Sequence, residues 1–309
     1  YLKGLTDIDG HELLAAVKTS AMQDKFGIDL YREYQYIPSD KEVEAVSKTL
    51  EYAFDDWAIA QLAKHLGEEK DYQRFIKRSG YYRNLYDHSS GFMRGKLSDG
   101  SWVTPFNPSQ VEHRKNDYTE ANAWQYTWFF LHDISGFIEF IGGEEKFVSQ
   151  LDELFTTEVK MQGDVSSDIS GLIGQYVHGN EPCHHIAYLY FYTSQKRKGE
   201  DWIKTIRNTM YKANIDGLAG NDDVGQMSSW YVMSALGFYP VNPASGEFVL
   251  GTPLFEEVTM QVANGKSLTI KRHGDGYVSN ITLNGKKLDL SISYQQIMQG
   301  GELIFTLEP

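Results

Sequence analysis

Three short stretches gather acids, amides and aromatics where loops run into helices, and packing alone calls for none of these. The first reads Asp117-Tyr118-Thr119-Glu120-Ala121-Asn122-Ala123-Trp124-Gln125-Tyr126. A carboxylic acid entering an aromatic helix can be kept protonated by low polarity, as a general acid must be. The same residue can equally cap the helix N-terminus. The second stretch is His178-Gly179-Asn180-Glu181-Pro182-Cys183-His184-His185. Pro182 suits a first helical turn, with Asn180 or Glu181 near the cap. These oxygen donors also suit a hard cation such as calcium, which takes about six to eight oxygens. The histidines invite a zinc reading. No HExxH or paired-cysteine spacing supports it, and adjacent residues such as His184 and His185 point about 100° apart on a helix. The third stretch is Gly217-Leu218-Ala219-Gly220-Asn221-Asp222-Asp223-Val224-Gly225-Gln226-Met227. Neighbouring carboxylates repel, so one can be raised in pKa, one can bind a cation, or both can simply cap the following helix.

The elements that must position these residues change character near Gly237. Up to about residue 238, apolar residues recur at three- and four-residue spacing between loops rich in Gly, Asp, Ser and Pro. Ser39 followed by Glu42 predicts a capping box, with Val43, Val46, Leu50, Phe54, Trp57, Leu62 and Leu66 forming one helix face until Gly67. Further helices are expected around Leu13, Leu14 and Val17, around Tyr72, Phe75 and Ile76, and around Phe147, Val148, Leu151, Leu154 and Phe155. The runs 124–131 and 186–192 are apolar on nearly all sides and predict inner helices covered on two faces. Beyond Gly237, Pro240 and Pro243 end any helix and β-branched residues alternate in period two. Asn264-Gly265 and Asn284-Gly285 predict hairpins, and Leu303, Phe305 and Leu307 a last strand.

Composition narrows the function classes. A net charge of −13 disfavours a surface built to grip nucleic acid or anionic lipid. With 20 Tyr and 6 Trp the chain suits sugar recognition, since flat rings pack on pyranose faces, although helical cores also collect aromatics. One cysteine, Cys183, excludes an internal disulfide framework, and no apolar run approaches the roughly 20 residues of a membrane span.

At these residues the chain resembles glycoside hydrolase family 92, the calcium-dependent α-mannosidases. The resemblance rests on Ser39-Asp40-Lys41-Glu42, on Lys48-Thr49-Leu50-Glu51-Tyr52-Ala53-Phe54-Asp55-Asp56-Trp57, on Gly91-Phe92-Met93-Arg94-Gly95, on Asn122-Ala123-Trp124-Gln125-Tyr126 and on Gly179-Asn180-Glu181-Pro182. It continues through Gly220-Asn221-Asp222-Asp223-Val224-Gly225-Gln226-Met227-Ser228 and Ala235-Leu236-Gly237-Phe238-Tyr239-Pro240. Ala121 departs from the family, which more often has glycine there.

The resemblance implies a mainly α chain with a β module: residues 1–238 as an incomplete (α/α)6 toroid, residues 239–309 as C-terminal β-strands, and an N-terminal β-sandwich expected outside this chain as its natural partner. It implies removal of terminal α-linked mannose from glycans with inversion, which needs an acid and a base about 6.5–9.5 Å apart with room for water. Glu120 takes the acid role and Asp223 the base role, with Asn221 or Asp222 assisting. Calcium falls to Asn180, Glu181 and Asp223, and sugar contacts to Trp124, Gln125, His178 and His185. A secreted, periplasmic or cell-surface location in a bacterium goes with the family. Two other readings stay open on the residues: a toroid-fold polysaccharide lyase, disfavoured by the absence of Arg or Lys in the three stretches, and a glycan-binding or inactive fragment.

Overall fold

The computed structural model describes residues 1–309 except His113, Ser166, Asp168 and the side chain of Asn264. The chain divides into two compact units, Tyr1–Cys183 and His184–Pro309.

The first unit carries helices α1 (Gly10–Ala21), α2 (Ile28–Tyr34), α3 (Ala45–His65), α4 (Glu69–Arg78), α5 (Ala123–Tyr126), α6 (Ile134–Ile141) and α7 (Glu144–Thr156). The predicted stripes place α1, α4 and α7 correctly: Leu14 of α1 and Phe75 of α4 pack on Ile59, Ala60, Leu62 and Ala63 of α3, while Phe147, Val148, Leu151, Leu154 and Phe155 are all buried on α7. Asp9 caps α1 by accepting from the His11 and Glu12 N–H groups. Inside, Arg78 Nε donates to Asp56 Oδ2 at 2.8 Å, tying α4 to α3. Short strands β1 (Tyr86–Asp87) and β2 (Phe92–Met93) pair antiparallel, β3 (Gln110–Glu112) and β4 (Gln162–Asp164) parallel, and β5 (Leu172–Ile173) and β6 (Tyr176–Val177) antiparallel.

Two expectations need correction here. The Ser39–Glu42 capping box does not form, because α3 starts only at Ala45 after Glu44 turns left-handed at φ 57°. Glu42 instead accepts from Lys48 Nζ at 2.7 Å. The first N–H groups of α3 are satisfied by main chain: Val46 and Ser47 donate to the Asp117 carbonyl at 3.0 and 3.1 Å, and Glu44 donates to Asn116 at 2.7 Å. The run 124–131 is not a long inner helix either. It holds the single turn of α5, after which Thr127 Oγ1, bonded to the Ala123 carbonyl, accepts the Met93 N–H at 3.1 Å. Burial on all sides was read correctly, yet aromatic residues give little helical propensity and tertiary packing decides the backbone path.

The second unit opens with a 3-10 helix, Ile186–Tyr192, in place of the expected α-helix, with residues 186–191 buried. Helices α8 (Lys196–Met210) and α9 (Gln226–Leu236) follow. The strands are β7 (Phe238–Tyr239), β8 (Glu247–Leu250), β9 (Glu257–Gln261), β10 (Ser267–His273), β11 (Tyr277–Leu283), β12 (Lys286–Leu288), β13 (Ser291–Ser293) and β14 (Gly301–Glu308), with α10 (Tyr294–Gln299) before the last. They form a three-stranded sheet, β13-β8-β7, and a five-stranded sheet, β12-β11-β14-β10-β9, in which only β10 and β14 run parallel. Alternation buries Leu303, Phe305 and Leu307 with Leu268, Ile270, Ile281 and Leu283. Both predicted hairpins exist. Asn284 and Gly285, at φ 51° and 77°, join β11 to β12 by a two-residue loop, while Asn264-Gly265 lie in a short 3-10 turn between Gln261 and Ser267.

Candidate active site

The first stretch is threaded between anchors. Asp117 caps α3 through its carbonyl, Tyr118 OH donates to the Met93 carbonyl at 2.7 Å, and the Thr119 N–H donates to Ser47 Oγ at 2.8 Å. Glu120 then takes the left-handed conformation, φ 52°, half-buried, with its carbonyl accepting from Asn180 Nδ2 at 3.0 Å. Helix α5 is capped two residues later. Asn122 Oδ1 accepts the Trp124 N–H at 3.0 Å and Gln125 Oε1 accepts the Asn122 N–H at 2.8 Å, completing a capping box. Capping therefore belongs to Asn122, and Glu120 has no part in it. Ala121 fits with its methyl buried beside Asn122.

Around this turn, Gln125 is buried and donates through Nε2 to the Gln175 carbonyl at 2.7 Å. Trp124 is half-buried, bonds Ser109 Oγ through Nε1 at 3.1 Å and stands edge-on to Phe92 at 4.8 Å. Asn122 Nδ2 is a buried donor without a hydrogen-bond partner. Such a group costs roughly 1–3 kcal/mol and marks a place where a water or a ligand oxygen belongs. Burial pushes the Asp117 carboxyl upward, partly offset by the nearby Ser39 hydroxyl.

The second stretch is divided between the units. His178 is fully buried, its Nδ1 2.8 Å from Tyr176 OH, and Asn180 is buried at the start of the 3-10 turn Glu181–Cys183. The amide nitrogen of Asn180 is taken by the Glu120 carbonyl, so only its oxygen could serve a cation, and half-buried Glu181 follows directly. Among the described residues no group of three or more His, Cys, Asp or Glu side chains is arranged to hold a metal. A hard cation here would therefore take amide, carbonyl and substrate or water oxygens beside one or two carboxylates, a donor set that calcium accepts. In the second unit, His184 Nδ1 lies 3.2 Å from Gln226 Nε2 and its carbonyl accepts from Trp230 Nε1 at 2.9 Å, while His185 is buried nearby.

The third stretch repeats the logic of the first. Asp222 Oδ1 accepts both the N–H and the hydroxyl of Ser228 at 2.9 Å, and its carbonyl accepts the Met227 N–H, so Asp222 closes the N-terminal turn of α9. Among the described residues Asp223 makes no such side-chain bond to the turn, and only its carbonyl takes part, accepting the Gln226 N–H at 3.1 Å. It is exposed at φ 43°, followed by Val224 at φ 55° and Gly225 at φ 88°. Three successive left-handed residues, one of them β-branched, are costly, and such strain gathers at functional sites. Asn221 is exposed beside them.

The residue reading missed Glu51, Ser47 and Thr119. Tyr126 OH donates to Glu51 Oε1 at 2.9 Å. On the sequence Glu51 is one acid on a long helix, and only the fold brings Tyr126 to it.

The family model described as glycosyl hydrolase family 92 catalytic domain matches residues 1–309. The chain belongs to glycoside hydrolase family 92. A solved family GH92 α-mannosidase of Bacteroides thetaiotaomicron, in complex with mannoimidazole, is 42% identical with a TM-score of 0.92, over 98% of this chain and 41% of that one. A family GH92 inverting mannosidase of the same organism is 32% identical with a TM-score of 0.86, over 99% and 44%. A protein of Arthroderma benhamiae described as an uncharacterized secreted glycosidase is 27% identical over 304 residues, 89% of this chain and 37% of that protein. The chain thus spans less than half the length of these relatives. Within the family 92 blocks, residues 91–95 hold β2, residues 122–126 hold the capping box and α5, and residues 220–228 hold the left-handed run.

Proposed function

We propose that this chain supplies catalytic residues of an exo-acting α-mannosidase that hydrolyses terminal α-linked mannose with inversion and with calcium. One observation carries the assignment of roles. At both junctions a neighbour's side chain does the capping, Asn122 for α5 and Asp222 for α9, while Glu120 and Asp223 sit in left-handed backbone and, among the described residues, their carboxylates make no capping bond. Strained acids relieved of the ordinary work of their positions suit chemistry.

In this reading Glu120 donates its proton to the glycosidic oxygen as the C1–O bond breaks. Asp223 accepts a proton from the water whose oxygen bonds to C1 on the opposite face, with Asn221 and Asp222 orienting it. The alcohol leaves with the proton of Glu120, and mannose appears first as the β anomer. Trp124 offers a ring face, and Gln125, His178 and His185 offer polar atoms to the sugar or to the residues around it. Asn180, Glu181 and Asp223 would contribute oxygens to calcium. When bound, that ion would grip vicinal mannose hydroxyls and favour a distorted ring.

The helices of residues 1–238 are read as part of an (α/α)6 toroid and residues 239–309 as its β module, with an N-terminal β-sandwich as partner. Action outside the cytoplasm fits the fungal relative described as secreted. Proton NMR of the first minutes of hydrolysis of an α-mannoside tests the reaction. β-Mannose must precede α-mannose, and EDTA must stop turnover that calcium restores. Initial α-mannose, or binding without turnover in the intact protein, would overturn the proposal.

A further inference from the structure

We infer that the Tyr126 hydroxyl, held by Glu51, is a positioning group that fixes the turn presenting Glu120; this rests on the reading of Glu120 as the acid.

Tyr126 ends α5 and is 2% exposed, so its hydroxyl is committed to protein partners. It donates to Glu51 Oε1 at 2.9 Å, and the Ser47 and Thr119 hydroxyls lie beside the Tyr126 hydroxyl itself. Ser47 and Glu51 are four residues apart on α3 and share one face. Ser47 Oγ also accepts the N–H of Thr119, the residue before Glu120, at 2.8 Å. Tyr126 therefore closes a ring of bonds that begins on α3, passes through Thr119 and the left-handed Glu120, enters α5 through the Asn122 cap and returns to α3. On the far side the Asn180 amide holds the Glu120 carbonyl.

Packing alone does not call for this arrangement. Phenylalanine would fill the same space without burying a hydroxyl, and leucine at position 51 would avoid a carboxylate against protein. Burial pushes the Glu51 carboxyl above the ordinary carboxylate range, and Asp55 and Glu44 add to that, while the Tyr126 bond draws it back. No Lys or Arg is paired with Glu51 among the described residues. A half-buried acid whose hydrogen-bond partner is one tyrosine is a costly way to hold a helix but a direct way to fix one turn.

The test compares Tyr126→Phe, Glu51→Gln and Glu51→Leu in the intact enzyme on two substrates: an alkyl α-mannoside, whose departure needs a proton, and 2,4-dinitrophenyl α-mannoside, whose departure does not. The readout is the ratio of the two kcat values on one preparation, so any unfolded fraction cancels. Tyr126→Phe and Glu51→Leu are expected to lower kcat on the alkyl substrate at least about tenfold more than on the aryl one, with KM within about twofold. Glu51→Gln, which keeps an acceptor oxygen, is expected to recover most of that ratio. Equal losses on both substrates, or an unchanged ratio, would overturn the inference. Glu120→Gln runs alongside: if it leaves the ratio unchanged, the acid assignment falls and this inference with it. If it shifts the ratio while Tyr126→Phe does not, only the positioning role is refuted.

Discussion

Replacing Gly95 by alanine tests how the turn before Glu120 is held. Gly95 is buried and does not lie in left-handed backbone, so alanine carries no conformational penalty and acts through its methyl alone. A Cβ there would meet Ser39 Oγ at 2.6 Å and Asp117 Cγ at 2.7 Å, with Asp117 Oδ2 closer still. Ordinary contact between carbon atoms is about 3.5–4.0 Å, so the Asp117 side chain must retreat by roughly 1 Å. Its own carbonyl receives the Val46 and Ser47 N–H groups, so the retreat pulls on the start of α3 and on the segment running to Glu120. Overpacking of this kind costs about 1–3 kcal/mol. A displacement of about 1 Å at a catalytic group lowers rate up to about 100-fold. Urea unfolding and kcat/KM on an α-mannoside measure the two effects, and both losses are expected. Adding Asp117→Ala should return most of the stability by making room for the methyl. A Gly95→Ala protein with unchanged unfolding midpoint and unchanged rate would refute the reasoning.

Two further outcomes follow from buried charge and backbone strain. Arg78→Met removes the guanidinium paired with buried Asp56 and should cost about 3–5 kcal/mol in urea unfolding above pH 7, where the carboxylate is charged. Burial pushes the Asp56 carboxyl from 3.8 up to about 7, despite the lowering by Arg78. Because the native value lies above the unfolded one, the contribution of this group is fully present below about pH 4 and fades as pH rises to about 7. Asp56→Asn should therefore flatten that part of the profile when unfolding is compared between pH 4.5 and 7.5. Val224→Gly removes a left-handed β-branched residue whose side chain is exposed, and thermal unfolding should show a gain of roughly 0.5–1 kcal/mol, the strain relieved less the added freedom of the unfolded chain. Its kcat should fall as Asp223 loses its fixed backbone.

Much of the fold was legible because periodicity reports burial. The stripes of α1, α4 and α7 and the alternation of β10, β11 and β14 follow from one-sided packing, and Asn284-Gly285 marks its own turn. The start of α3 was not legible, because its cap comes from the carbonyl of Asp117, distant in sequence. Nor was the shortness of α5, since residues buried on every side carry no period that separates a long helix from one turn and a loop. In the site, residue types pointed to three acid-bearing stretches, and the roles of Glu120 and Asp223 came from the resemblance to family 92. Asn122 and Asp222 suit caps just as well by type, however, and only coordinates divide the work between neighbours. The Glu51–Tyr126 bond joins residues 75 apart and has no local signature.

The most direct measurement is the hydrolysis of methyl α-mannoside and 2,4-dinitrophenyl α-mannoside by Glu120→Gln. Loss of about 100- to 10,000-fold on the methyl substrate, with the aryl substrate largely spared, is the expected result for a missing general acid. Comparable rates on both substrates, or equal losses on both, would contradict the role assigned to Glu120.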